Sequence, residues 1–222
     1  MTFLAISRLD LLNRKSSMNW ALLSVFVPTF FFVSVTPGMC MTLAMTLGMS
    51  IGVKRALWMM LGELTGVGLV ATLSAVGVAA LLFNYPDVFT LFKYVGGLYL
   101  LYLGIQMWLS KGRMALKHQE DGPGATRAQL IAQGFITAIA NPNGWAFFVA
   151  LLPPFLDPVQ PLATQLVSLI AIILTLEFGC LLIYASGGRT LRTLLMHSGN
   201  VRIMNRIAGT LMAGVGLWLA FG

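Results

Sequence analysis

Six long apolar runs take up most of this chain, and short polar connections separate them. A helix needs about 20 predominantly apolar residues to cross the hydrocarbon core of a membrane, and most of the runs reach that length. The sequence therefore predicts an all-α, polytopic membrane protein with six transmembrane helices. The runs span roughly residues 20–53, 56–83, 88–109, 128–156, 162–188 and 207–221.

The composition agrees with a membrane protein and not with a soluble one. Hydrophobic residues make up 58% of the chain and charged residues only 9%, and the mean hydropathy is +0.85. A soluble domain carries about 25% charged residues. The net charge of +7 comes from basic residues in the connections. There they set orientation and contact anionic headgroups, so we expect membrane lipids and no nucleic acid as partners.

The basic residues also predict the orientation in the membrane. The connections near residues 54–55, 110–127 and 189–206 hold ten lysines and arginines, whereas the opposite face holds four. Because basic residues concentrate on the cytoplasmic side, these three connections should be cytoplasmic and both termini outside. The four on the outer face are Arg8, Arg14, Lys15 and Lys93.

The first 17 residues stand apart from the predicted membrane domain. Met18 directly precedes Asn19 and Trp20, where the first apolar run begins. We expect Met18 to be the physiological start, with residues 1–17 an N-terminal extension that is disordered or not translated. A cleaved signal peptide is the competing interpretation, but the apolar stretch is too long and lacks a clear small-residue cleavage site. The six-helix domain would then span residues 18–222.

Two carboxylates lie inside the apolar runs, at Glu63 and Glu177, whereas the other acids lie in polar segments. A charged side chain at hydrocarbon depth is costly unless it faces a cavity or a partner. Such residues therefore mark ion, proton or substrate pathways, and the sequence predicts a transporter.

The runs repeat one pattern. Helix breakers stand at Pro37 and Gly38 in the first run and at Pro142 in the fourth, and each time an acid follows one run later. The sequence therefore predicts two repeats with broken first helices, spanning about 20–109 and 128–221. Because each repeat has three spans, the second must be inverted relative to the first. Inverted repeats with matching broken helices point to the binding site of a secondary transporter.

The breaks predict the chemistry of that site. A half-helix that starts after a break has N–H groups without intrahelical partners, and its dipole attracts a carboxylate. The two glutamates can take up a cationic amine or a proton, so the site suits a zwitterion. The predicted substrate-binding residues are Thr36, Pro37, Gly38, Asn141, Pro142 and Asn143, and the predicted proton-coupling or amine-binding residues are Glu63 and Glu177.

Several segments, in this order and spacing, match one protein family. They are Thr36-Pro37-Gly38, Gly62-Glu63, Gly96-Gly97-Leu98-Tyr99-Leu100-Leu101-Tyr102-Leu103-Gly104, Asn141-Pro142 and Leu152-Pro153-Pro154-Phe155-Leu156-Asp157-Pro158. With them, the chain resembles the LysE/RhtB family of bacterial amino-acid exporters over nearly its whole length.

The resemblance implies six spans and export of amino acids or their derivatives across the inner membrane, driven by proton antiport. It implies that Pro37, Gly38, Asn141 and Pro142 are breaks that form the site, and that Glu63 is the usual acidic position of the second span. Three departures bear on the substrate. The family commonly has Pro-Gly-Pro at 37–39, Asn-Pro-Lys at 141–143 and aspartate at position 63, where this chain has methionine, asparagine and glutamate.

Two alternatives stay open at the level of the sequence. A metal or inorganic-cation exporter would use the two glutamates with Cys40 or Cys180, although these residues do not cluster in sequence. A non-transporting subunit of a membrane complex would not explain the paired acids, but it would explain the glycines that suit close helix packing, which are Gly62, Gly66, Gly96, Gly97 and Gly104. We expect no enzyme activity, metal site or cofactor, because no nucleophile–base set appears and His118 and His197 lie outside the runs. A homo-oligomer is compatible with the sequence.

Overall fold

A computed structural model describes residues 20–110, 124–156 and 161–221 of the chain, and in these ranges helices are the only regular elements besides one 3₁₀ turn. The predictions for residues 1–17, Met18 and most of the 110–127 connection lie outside the described residues. The helices are α1 Trp20–Val35, α2 Met39–Ser50, α3 Val53–Asn84, α4 Pro86–Leu109, α5 Arg127–Ile139, α6 Pro142–Leu151, α7 Leu162–Met196 and α8 Ser198–Phe221, and the 3₁₀ turn is Pro153–Phe155.

Length and hydropathy identify up to five of these units as candidate membrane spans. Three single helices qualify, namely the apolar parts of α3, α7 and α8, and two bent pairs qualify if each pair is one span. The predicted third span corresponds to α4 but is not among the qualifying helices. The all-helical membrane architecture is therefore confirmed, whereas the number of six spans stays a prediction.

The two predicted breaks divide their helices at equivalent places. The first run is split into α1 and α2, and the fourth into α5 and α6, with a bend of 56° in each pair. Pro142 is the first residue of α6, where its missing N–H costs nothing and its fixed φ suits a helix start. Pro28, by contrast, lies inside α1 without dividing it. Each half of the chain thus begins with a broken helix.

The region after Gly188 differs from the predicted connection. Gly188 adopts φ 48° and ψ −133°, so the chain kinks there, but the helix resumes to Met196 and α8 begins at Ser198. Leu195 and Val201 are buried while Arg192 is exposed. Residues 189–206 are therefore largely helical because an apolar side packs inward while Arg192, Arg202 and Arg206 stay outside.

The halves interlock through their unbroken helices. In each half the helix after the broken pair packs on the broken pair of the other half, so α3 contacts α5 and α6, and α7 contacts α1 and α2. The third helices, α4 and α8, make the most extensive contact with each other. This exchange brings α3 and α7, which carry the two glutamates, to the centre of the molecule.

Glycines bring α4 and α8 into direct backbone contact. A methyl group added at Gly97 would lie 2.7 Å from the carbonyl oxygen of Gly216, and one at Gly104 would lie 2.6 Å from that of Gly209. The position in α4 advances from 97 to 104 while the facing position in α8 falls from 216 to 209, so the two helices run antiparallel. Small residues permit such close approach in membrane helices.

Helices α3 and α5 are in equally close contact, but they run in the same direction. A methyl group at Gly62 would lie 1.9 Å from the carbonyl oxygen of Ile131, and one at Gly66 would lie 3.0 Å from that of Phe135. Both pairs advance by four residues in the same sense, so α3 and α5 are parallel. The glycines that the sequence indicated as packing positions are therefore contacts between the halves.

Candidate functional site

A cavity of about 170 Å³ lies where the two broken helices meet α3 and α7. Five of the eight predicted site residues line it: Thr36, Gly38, Glu63, Asn141 and Glu177. The other three do not contribute to its lining. Pro37 is half-buried beside the first break, and Pro142 and Asn143 are exposed at the start of α6. The structure thus brings together both breaks and both acids around one hollow.

Both glutamates are buried, and they differ in their partners. Glu63 is 0% exposed and Glu177 is 8% exposed. The hydroxyl of Ser34, in the last turn of α1, donates a hydrogen bond to the Glu177 carboxylate. Neither carboxylate oxygen of Glu63 accepts a hydrogen bond of normal geometry from the described residues, and its polar neighbours in the cavity include Cys40 and Glu177. Glu63 is therefore the acid with unused capacity to bind a ligand.

The two carboxyl groups are also within interaction range of each other. A carboxylate oxygen cannot donate a hydrogen bond, so a direct hydrogen bond between Glu63 and Glu177 forms only when one of them holds a proton. Among the described residues, no lysine, arginine or histidine lines the cavity. Two buried negative charges without a cation are unfavourable away from water. We therefore expect the site to bind a proton or a positively charged ligand.

The first break presents an uncapped helix end. Gly38 is the N-cap residue of α2, and no side chain caps the helix there. The Thr36 hydroxyl donates to the carbonyl of Phe32, 2.7 Å away, so it turns back toward α1. Neither Gly38 nor Thr36 therefore caps the first N–H groups of α2, and the positive end of the helix dipole lies at the site.

The second break is closed by its own side chains. Asn141 accepts a hydrogen bond from the backbone N–H of Asn143 at 3.2 Å, which caps α6. The indole N–H of Trp145 donates to the carbonyl of Ile139 at 2.9 Å, which ties α6 to the end of α5. The two breaks are thus similar in bend but different in chemistry, and only the first leaves its N-terminus uncapped.

Sequence reasoning missed two positioning residues. Ser34 orients Glu177, and Tyr184, which is 1% exposed, donates from its hydroxyl to the carbonyl of Val35 at 2.7 Å. Tyr184 follows Glu177 by seven residues, which is two helical turns, so it lies on the same face of α7. This spacing could have been recognised in the sequence, because a tyrosine and a glutamate on one side of an apolar helix indicate a polar face.

Aromatic rings form the apolar wall of the cavity. Phe30 lies against Phe147 and Phe148, with ring centroids 6.3 Å and 6.1 Å away. Cys40 also lines the cavity and is partly accessible, whereas Cys180 is buried. In the described ranges, no group of three or more histidines, cysteines and acids is placed to hold a metal ion.

Comparisons with known proteins agree on one family. The model of a family described as LysE type translocator matches residues 31–222. An uncharacterized membrane protein of Vibrio cholerae is 30% identical, over 84% of this chain and 90% of its own length. A homoserine/homoserine lactone efflux protein of Salmonella typhimurium is 26% identical over 88% and 94%. A leucine efflux protein of an Enterobacter species is 29% identical over 60% and 62%. No solved structure matches the chain.

Proposed function

The chain belongs to the LysE type translocator family, and we propose that it exports amino acids or their derivatives across the bacterial inner membrane by proton antiport. The observation that carries this proposal is Glu63, which is fully buried, lines the central cavity and has both carboxylate oxygens unpartnered within the described part of the chain. Two related proteins are named as efflux proteins for homoserine and for leucine, which supports an amino-acid substrate.

The cavity suits a small zwitterion. The substrate ammonium binds at Glu63, and its carboxylate binds at the uncapped N-terminus of α2, beyond Gly38. The rings of Phe30 and Phe148 contact the apolar part of the substrate. The volume of about 170 Å³ is smaller than the about 300–1,000 Å³ typical of pockets for drug-sized ligands, so it admits only a small solute.

The carboxyl pair couples export to protons. In the absence of substrate, Glu63 and Glu177 share a proton, which relieves their repulsion. The substrate ammonium replaces that proton, because a single cation satisfies the same pair. Moving one proton through 100 mV is worth about 2.3 kcal/mol, which sustains a gradient of about fiftyfold in a neutral solute.

Alternating access uses the two halves as inverted repeats. The antiparallel α4 and α8 are the third helices of the two halves, and symmetry-related helices of an inverted pair run in opposite directions. The parallel α3 and α5 fit a chain that crosses the membrane six times. The broken pairs then rock against α3 and α7, with the cavity opening to either side in turn.

Transport by purified protein in proteoliposomes tests this function. Vesicles are loaded with labelled homoserine, leucine and a panel of other amino acids, and efflux is followed after a pH gradient is imposed. At least one amino acid should leave faster with the gradient than without it, and a protonophore should abolish the difference. Divalent metal ions as cargo serve as the comparison, because metal export was the main alternative.

A further inference from the structure

A second concave surface lies on the outside of the molecule, away from the central cavity. It is a groove of about 480 Å³ between the first half of α3 and one side chain of α7. Its walls are apolar apart from one lysine. The lining residues are Lys54, Leu57, Trp58, Leu61, Leu64 and Phe178.

The groove has the length of one leaflet of a membrane. From Lys54 to Leu64 the groove follows ten residues of α3, which is about 15 Å at 1.5 Å per residue. The hydrocarbon core of a bilayer is about 30 Å thick, so each leaflet contributes about 15 Å. An acyl chain that starts at the lysine therefore reaches the deep end of the groove at the membrane midplane.

Positive charge collects at the shallow end. Lys54 is exposed at the mouth, Arg55 follows it in the chain, and the Arg127 guanidinium lies 5.1 Å from the centre of the Trp58 ring. The Arg55 side chain donates to the carbonyl of Ala125 at 2.6 Å, which holds the start of α5 beside the mouth. Lys54 is the cation that lines the groove itself, Arg127 lies over one of its lining rings, and no acid of the described residues lies at this end of α3.

We propose that this groove is a binding site for one anionic phospholipid, with its phosphate at Lys54 and one acyl chain against Trp58, Leu61 and Phe178. Lys54 and Arg55 lie in the first turn of α3, on the face that the charge distribution predicts to be cytoplasmic, where anionic lipids attract such residues. Leu64 and Phe178 directly follow Glu63 and Glu177 in the chain. The lipid chain therefore packs against the backs of the two helices that carry the central acids.

Fluorescence quenching of Trp58 tests the proposal without reference to transport. The full chain is reconstituted in phosphatidylcholine vesicles that contain increasing fractions of phosphatidylglycerol with brominated acyl chains, and a parallel series uses brominated phosphatidylcholine. The same series is measured on Trp58→Phe, and the quenching that is lost in this variant is assigned to Trp58. We expect the anionic lipid to reach half-maximal quenching at a several-fold lower mole fraction than the neutral lipid.

Two substitutions separate the site from ordinary lipid contact. Lys54→Gln should abolish the preference for the anionic lipid, whereas Lys93→Gln, a matched change on α4, should leave it intact. Leu61→Phe should reduce Trp58 quenching by either lipid, and Leu73→Phe, an exposed change on α3 outside the groove, should not. Equal quenching by both lipids, a preference that survives in Lys54→Gln, or competition by free inorganic phosphate would overturn the proposal.

Discussion

The hydroxyl of Ser34 donates a hydrogen bond to the carboxylate of Glu177, so the end of the first half-helix is joined to an acid of the other half of the chain. Tyr184 makes a second link one residue further along, to the carbonyl of Val35. Both donors act at the point where α1 stops. Contacts with α7 therefore hold the first break in place, whereas the second break is held by its own Asn141 and Trp145.

Removing the Ser34 hydroxyl should impair export. Ser34→Ala leaves the buried Glu177 without its donor, and a hydrogen bond to a charged group contributes about 1.5–3 kcal/mol. We expect the export rate in proteoliposomes to fall about tenfold or more, since 1.4 kcal/mol corresponds to a factor of ten. Ser74→Ala is the matched control, because the buried Ser74 hydroxyl has no partner to lose among the described residues. A similar loss in both variants would mean that the Ser34 contact has no specific role.

The Tyr184 hydroxyl should contribute to stability as well as to transport. Tyr184→Phe keeps the ring but leaves the carbonyl of Val35 without this donor, at a cost of about 1–3 kcal/mol. Each kcal/mol lowers the Tm of a domain of this size by about 2–4 °C. Thermal unfolding of the purified protein measures the change, with Tyr94→Phe as the control at an exposed ring. An unchanged Tm would show that the Val35 carbonyl does not depend on Tyr184.

The contact between α4 and α8 should be intolerant of even one methyl group. Gly97→Ala places a carbon 2.7 Å from the Gly216 carbonyl oxygen, and such overpacking costs about 1–3 kcal/mol. Gly214→Ala on α8 meets nothing within 4 Å, so it should be neutral or slightly stabilising, because alanine favours helix more than glycine does. Denaturation of the two variants distinguishes them. Equal stabilities would contradict the close antiparallel contact.

Cys40 offers a direct measure of access to the cavity. It lines the hollow and is partly accessible, whereas Cys180 is buried. In a Cys180→Ser background, a small methanethiosulfonate reagent should modify Cys40, and a saturating exported amino acid should slow the reaction. In a Cys40→Ser background, Cys180 should react far more slowly. If no transported amino acid slowed the labelling of Cys40, the cavity would not be the substrate site.

The architecture around the site could be predicted from the sequence because a helix break and a later intramembrane acid occur in the same order in both halves. The two breaks and the two acids indicated which segments lie close together, at Pro37, Pro142, Glu63 and Glu177. In the structure, both acids and both breaks lie at one cavity. The glycines at 97 and 104 predicted close packing, although not which helix they would contact.

Other features could not be predicted because they depend on three-dimensional contacts. The exchange of α3 and α7 between the halves determines that Ser34 meets Glu177, and nothing in the local sequence of Ser34 indicates it. The uncapped start of α2 and the capped start of α6 look alike as Pro-containing breaks. They differ only because Asn141 caps its own helix while Thr36 donates back to Phe32.

Gradient-driven efflux by Glu63→Gln tests the coupling of export to protons most directly. The variant keeps the size of the side chain and removes its charge, and Leu73→Gln is the control, since it introduces the same amide at a half-exposed position on the same helix, outside the cavity and the groove. In proteoliposomes with an imposed pH gradient, Glu63→Gln should lose the gradient-dependent part of efflux while remaining folded, and Leu73→Gln should retain it. Undiminished gradient-dependent efflux by Glu63→Gln would contradict a role for this carboxylate in coupling.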